Sequence, residues 1–138
     1  MNFDFSEREE AFRKEVRAWL EANVPGDLRG RGFAATRADR EQVQRLRGWQ
    51  KRMHEAGYVG MDWPPEFGGR GASIVEQLIL YQEMARAESP QFVNRGGLSM
   101  LGPTLMKLGT PAQQARFRRN ILTADELWCQ GFSEPDAG

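Results

Sequence analysis

Residues 110–138 read TPAQQARFRRNILTADELWCQGFSEPDAG. Two kinds of backbone meet inside this stretch. It opens as a helix. Thr110 can cap the first turn, Pro111 takes the first helical position, where its missing N–H is no loss, and Gln113 stands three residues after the cap, able to bond back to it. The helix is expected to end near Leu122, with TADE as a turn. LWCQGF, residues 127–132, is then a short apolar run, rich in aromatics and bounded by turn residues, and it reads as a strand, although period alone does not separate so short a run from buried helix. A strand needs a ladder for its N–H and C=O groups. The rest of the sequence offers it no partner, so the strand implies chain beyond these 138 residues.

Everything upstream reads as helix and loop. Ser6 and Glu9 form a capping box, and Phe12, Val16, Trp19 and Leu20 then mark one helical stripe that Pro25-Gly26 ends. Phe3 and Phe5 are placed to staple onto that stripe. Residues 26–37 read as an exposed loop. A second helix runs from about Asp39 to Ala56, with Gln42 three residues after its cap, Val43, Leu46, Trp49 or Gln50, and Met53 on its apolar face, and Gly57 as its stop. GYVGMDWPPEFGGRGA, residues 57–72, is irregular but carries enough apolar mass to pack on something. Ser73 and Glu76 make a second capping box. Val75, Leu78, Ile79, Gln82, and Met84 or Ala85 carry that helix to about Glu88, where Ser89-Pro90 breaks it. A fourth helix is expected over Gln91–Leu101, interrupted at Gly102-Pro103, with a short turn to Leu108. The fold class is therefore all-α: a helical bundle over residues 1–124, followed by the first strand and turn of another domain over 125–138.

Composition bounds the function. Hydrophobic residues make up 40% and charged residues 28%, and 19 basic residues balance 19 acidic ones. A chain of this length buries about two-thirds of the surface it exposes unfolded. Zero net charge gives no support to nucleic-acid or anionic-membrane binding. No apolar run reaches the ~20 residues of a membrane span, and the acidic MNFDFSEREE start has no signal-peptide core. One His and one Cys make a His/Cys metal site or a Cys-His nucleophilic pair improbable. The expected compartment is the cytoplasm.

Three segments, in order, carry a family resemblance. WCQGFSEPDAG (128–138) resembles the signature of the acyl-CoA dehydrogenase family, in which a strand leads into Ser/Thr-Glu-Pro-x-Ala-Gly-Ser-Asp. WQKRMHEAGYVGMDWPPEFGG (49–69) resembles that family's helix and loop ending in P-x-E-x-G-G, and GPTLMKLGTPAQQARFRRNIL (102–122) its G-T-x-x-Q-x-x-x-F helix. The sequence departs at Phe132, where Leu, Ile, Val or Met is more usual, and the closing Ser-Asp is not within the sequence. The resemblance implies an enzyme of three parts: an N-terminal α domain, a central β domain and a C-terminal four-helix bundle. It implies FAD as cofactor and oxidation of the Cα–Cβ bond of an acyl-CoA thioester. A carboxylate base in the C-terminal bundle takes the α proton, so no catalytic residue is assigned here. An electron-transfer partner and a homo- or hetero-oligomer, as a tetramer, are implied as well. The 138-residue chain alone is expected to be inactive, to hold FAD poorly and to expose apolar docking surface.

By the family pattern Gln130, Phe132 and Ser133 present backbone N–H groups and one hydroxyl to the flavin, the Ser133 hydroxyl near N5. Gly131 permits close backbone approach. Fixed donors beside the pyrimidine half of a flavin favour its reduced form. Trp128 and Cys129 are expected on the packing side. Taken locally, the same residues are a plain edge strand with a Ser-Pro turn. In the fourth helix, Phe92 or Val93, Gly96 or Gly97, and Met100 recur every four residues and share a face. Two glycines inside a helix cost about 1 kcal/mol each against Ala. Either they leave room in the acyl pocket that this helix lines in the family, favouring a bulky or ring-bearing acyl group, or they allow close helix packing. His54 reads as a solvated helix-end residue, ARFRR (115–119) as a solvated face with a CoA phosphate contact as the alternative, and Glu7, Glu9, Glu10 and Glu15 as capping and solvating groups. No metal site is expected. Two other functions fit the sequence: a non-catalytic subunit of a hetero-oligomeric dehydrogenase, and a stand-alone helical interaction module.

Overall fold

The computed structural model describes residues 4–30 and 39–132. Phe3 and most of the expected 26–37 loop lie outside them. Five α-helices follow in order: α1 (Glu7–Asn23), α2 (Arg40–Glu55), α3 (Ile74–Arg86), α4 (Gly102–Leu108) and α5 (Pro111–Thr123). Their starts are set by side chains next to them in sequence. The hydroxyls of Ser6, Ser73 and Thr110 accept from the N–H groups of Glu9, Glu76 and Gln113, and those three side chains bond back to the cap N–H groups. Asp39 caps α2 in the same way, without the reciprocal bond. Gly26–Leu28 is a single tight turn that buries Leu28.

α1 lies along α3, α2 along α5, and α4 on α5. Val16, Leu20, Ile79 and Ile121 have no exposed surface, and each such aliphatic is worth about 1.5–3 kcal/mol over leaving it in water. Phe5 packs against this core, and the Arg13 guanidinium sits over its ring, 4.2 Å from the centroid. α3 is rotated relative to the stripe expected from sequence. Ile79, Leu80, Glu83 and Met84 face inward, whereas Leu78 is 49% exposed and Gln82 is exposed. The rotation is possible because α1 supplies cations to a buried carboxylate. Arg17 donates to both oxygens of Glu83 at 2.8 and 2.9 Å, and Arg13 lies 3.6 Å away.

Residues 57–72 are irregular, as expected, and they form part of the core. Tyr58, Val59, Met61 and Trp63 are at most 4% exposed. The stretch closes on itself: the Met61 carbonyl accepts from the N–H groups of Arg70 and Ala72, and the Trp63 carbonyl from that of Gly71. Tyr58 donates its hydroxyl to Glu15 at 3.0 Å, which gives that α1 glutamate a structural role.

Two further expectations need correction. The helix expected over 91–101 begins only at Arg95, and Gly102-Pro103 does not interrupt it. Gly97–Leu101 instead widens into a π-turn, in which the Gly102 N–H reaches the Gly97 carbonyl five residues back, and the chain runs straight on into α4. Proline lacks an N–H and crowds the carbonyl one turn before it; the widened turn ahead of Pro103 takes up that crowding. The second concerns residues 127–132, which form no ladder; among the described residues there is no strand. The reason is the one given by the sequence: ladder bonds need a second strand.

Candidate functional site

The 127–132 segment leaves the helical body at a heavily bonded corner. Ala124, fully buried, has φ of +58°, a left-handed conformation that costs a non-glycine residue energy and persists only where its surroundings enforce it. Arg47 of α2 enforces it by donating to the carbonyls of Ala124 and Asp125 at 2.7 and 2.6 Å. Gln50, one turn on, donates to the carbonyls of Ile121 and Leu122. Its own side-chain oxygen accepts the N–H of Asn94. Asn94 then uses both ends of its amide. Its Nδ2 donates to the carbonyls of Ile121 and Glu126, each at 2.9 Å, and its Oδ1 accepts the Trp128 N–H at 2.9 Å. Gln50 and Asn94 are both completely buried. Arg116 and Asn120 hold the Glu126 carboxylate, which the Arg116 hydrogen bond draws below the usual carboxylate range.

Beyond this corner the chain comes free. Trp128 packs edge-to-face on Phe117 with centroids 5.4 Å apart, so it takes the expected packing side. Cys129 does not, being exposed. Gln130, Gly131 and Phe132 are exposed, Phe132 at 84%, and a Cβ added to Gly131 would meet nothing within 4 Å. An exposed backbone outside any helix, with open space at its glycine, suits the close approach of a planar ring, so the residues present fit a flavin edge. Ser133, the fourth expected flavin contact, lies outside the described residues.

Of the five expected pocket residues, Phe92 lines two neighbouring grooves. The first, about 190 Å³, is walled by Tyr58, Met61, Leu80, Tyr81, Phe92 and Arg95. Phe92 meets Tyr81 edge-on at 6.5 Å. A second groove of about 340 Å³ shares Tyr81, Phe92 and Arg95 and is bounded also by Met84 and Gln91. Val93, Gly96, Gly97 and Met100 line neither. Phe92 and Val93 precede the helix, so the expected common face does not exist. The glycines are filled by protein: a Cβ on Gly96 would lie 2.5 Å from the Trp128 carbonyl oxygen, and one on Gly97 2.5 Å from the Asn94 side chain. Close packing, the second of the two readings of these glycines, is what the structure displays.

His54 is half-buried, not solvated. Burial first, and the nearby Arg119 second, hold its pKa below the ordinary value. At neutral pH it therefore supplies no charge to the end of α2. Within the ARFRR cluster Arg118 donates to the Glu66 carbonyl at 2.6 Å. Among the described residues, no cluster of His, Cys, Asp or Glu is arranged to hold a metal, and no helix is long and apolar enough to cross a membrane.

Gln50 and Asn94 were not singled out by sequence as functional. Gln50 left a trace, a polar side chain at an apolar-stripe position of α2. Asn94 left none, because its partners are 27 to 34 residues further on.

Comparison with known proteins places the helical body. Residues 6–125 match the family described as acyl-CoA dehydrogenase, N-terminal domain. The chain belongs to the acyl-CoA dehydrogenase family, as its N-terminal α domain. It is 45% identical over 128 residues to acyl-CoA dehydrogenase IpdE1 of Mycolicibacterium smegmatis, an alignment covering 92% of this chain and 33% of that protein. Among solved structures, the Tcur3481-Tcur3483 steroid ACAD superposes with a TM-score of 0.77 at 33% identity, over 100% of this chain and 34% of that one. The ChsE4-ChsE5 complex from Mycobacterium tuberculosis gives a TM-score of 0.77 at 29% identity, over 100% and 33%. The chain thus spans about a third of the length of the relatives it matches.

Proposed function

We propose that the chain is the N-terminal part of a flavin-dependent acyl-CoA dehydrogenase that oxidises the Cα–Cβ bond of an acyl-CoA thioester carrying a bulky, ring-bearing acyl group. Residues 1–124 are its N-terminal α domain and 125–138 open its central β domain. The observation that carries the reading is the presented segment Gln130–Phe132: an exposed backbone, anchored at Trp128 and open at Gly131, at the position of the family signature. With Ser133 it would hold the edge of FAD through backbone N–H groups and one hydroxyl. FAD, when bound, supplies hydride acceptance. This chain's residues contribute position and exclusion of water; they contribute no base, which is expected in the C-terminal bundle. The aromatic-walled groove beside Phe92 is offered as the acyl site, since Tyr58, Tyr81 and Phe92 give ring faces and edges for a fused-ring group to pack on. The name of the steroid ACAD relative favours the same substrate class. The enzyme is placed in the cytoplasm and passes its electrons to a separate carrier protein. The 138-residue chain alone is inactive and holds FAD poorly.

A second reading keeps the family but not the activity: a subunit that pairs with a catalytic one. The description of one solved relative as a ChsE4-ChsE5 complex supports a hetero-oligomer. An acyl-CoA series tested on the full-length protein, alone and with its co-expressed partner, separates the readings. The expected result is a kcat/KM for a ring-bearing acyl-CoA at least about a hundredfold above that for butyryl-CoA, since each lost methylene contact is worth about tenfold or more. A preference for butyryl-CoA sinks the substrate assignment. Turnover only with the partner's catalytic base intact favours the non-catalytic subunit.

A further inference from the structure

We infer that Asn94, backed by Gln50 and flanked by Gly96, is a positioning device that sets where the backbone of residues 128–132 lies relative to the flavin. The inference rests on the flavin reading of that segment. Three independent features converge on one short piece of chain. Asn94 saturates its amide against it, donating to the Glu126 carbonyl and accepting the Trp128 N–H, so that the chain is gripped on both sides of Leu127. Asn94 is itself fixed, because its backbone N–H donates to Gln50 and its Nδ2 also bonds the end of α5 at Ile121. Gly96 sets the distance. A methyl group there would meet the Trp128 carbonyl oxygen at 2.5 Å, with the Trp128 carbonyl carbon and Cys129 Cα at 3.3 and 3.6 Å, all of them backbone atoms with no side-chain freedom to yield. Leu127 is itself exposed, so packing of its side chain does not fix the register here. What fixes it, beside the packing of Trp128 on Phe117, is a polar relay from α2 through the completely buried Gln50 and Asn94 to the segment. A completely buried Asn is costly unless every donor and acceptor is met. A hydrophobic residue would fill the site without gripping the backbone, which is the service that Asn provides.

Full-length protein tests this with two variants and a control. Gly96→Ala raises helix propensity at a helical position, so its fold is not weakened by local preference, yet it must push Trp128 and Cys129 away. Asn94→Ala removes the grip and leaves the Glu126 carbonyl without its Asn94 donor and the Trp128 N–H without its Asn94 acceptor. Ile79→Val trims the core between α1 and α3, far along the chain from the segment. Flavin affinity, the flavin absorbance spectrum and its reduction potential are read, beside the melting temperature of the flavin-free protein. The expected result is about tenfold weaker FAD binding in both Gly96→Ala and Asn94→Ala, with a shifted flavin spectrum and potential, and an unchanged affinity in Ile79→Val despite its lower melting temperature. Gly96→Ala with wild-type affinity, spectrum and potential overturns the inference, whatever Asn94→Ala does. A wild-type protein that binds no flavin overturns the flavin reading of the segment and this inference with it; a flavin-loaded wild type with indifferent variants overturns the positioning role alone.

Discussion

Gly69→Ala is expected to destabilise the helical domain by about 4 kcal/mol or more, a large share of the roughly 5–15 kcal/mol by which an ordinary domain is stable. Gly69 does not have a positive φ, so an alanine there meets no conformational penalty of its own. The obstacle is steric. A Cβ would overlap the Trp63 carbonyl and sit 2.5 Å from the Gly60 carbonyl oxygen. Both are backbone atoms of the same closed loop, held where they are by Trp63, which is 1% exposed, and by the Gly71 N–H on the Trp63 carbonyl. Neither can rotate away as a side chain does. Gly48→Ala is the matched control: its Cβ meets nothing within 4 Å in the middle of α2, and it should stabilise by about 0.5–1 kcal/mol through helix propensity. Thermal unfolding of the three proteins decides. A Gly69→Ala protein within about 1 kcal/mol of wild type would show that the loop is not the closed, close-packed element described.

Glu83→Ala has the next largest effect, expected at about 2–3 kcal/mol at neutral pH. Removing one partner of a buried ion pair costs about 3–5 kcal/mol; the lower figure is taken because Arg17 is 39% exposed and can rehydrate. Glu83 is 4% exposed and is held below the usual carboxylate range, first by the Arg17 hydrogen bond and then by the charges of Arg17, Arg86 and Arg13, against the opposing effect of burial. The sign of the pH dependence follows. A carboxylate with a folded pKa below its unfolded one contributes stability that is complete above the unfolded value, near pH 4.3, and is lost as pH falls through the folded value. The gap between wild type and Glu83→Ala in urea unfolding should therefore narrow on acidification below about pH 4. A gap that stays constant to pH 3 would mean that the loss comes from the packing of α1 on α3 and not from the charge.

These two residues also mark the limit of what the sequence discloses. Three helix starts were legible because each capping box is made by residues three apart, Ser6 with Glu9, Ser73 with Glu76, and Thr110 with Gln113. The burial of Glu83 was not, because its cations come from α1, 66 residues earlier for Arg17, and a lone Glu on a helix looks solvated. Leu78 was placed inside by periodicity for the same reason: the inward face of α3 is chosen by what α1 offers. The π-turn at Gly97–Leu101 was hidden by a local rule that usually holds, that Gly-Pro ends a helix; a single widened turn satisfies Pro103 without ending it. At the site, the end of α5 near Leu122 was legible, whereas the strand expected over 127–132 is not formed and the corner that presents the segment was not legible. Asn94, Gln50 and Arg47 act on it from up to 78 residues away in sequence, and the spacing of Gly96 and Gly97 left an open pocket and close packing as equal readings, decided only by the Trp128 backbone and the Asn94 side chain that lie beside them.

The central claim is that this helical domain presents residues 130–132 to a flavin that an acyl-CoA reduces. The direct test is to purify the full-length protein, count its flavin, and add a ring-bearing acyl-CoA without oxygen while following the flavin absorbance. The account predicts one FAD per active chain and bleaching of the flavin band on addition of the thioester. A colourless protein, or a flavin that stays oxidised under every acyl-CoA offered with and without the partner subunit, would contradict it.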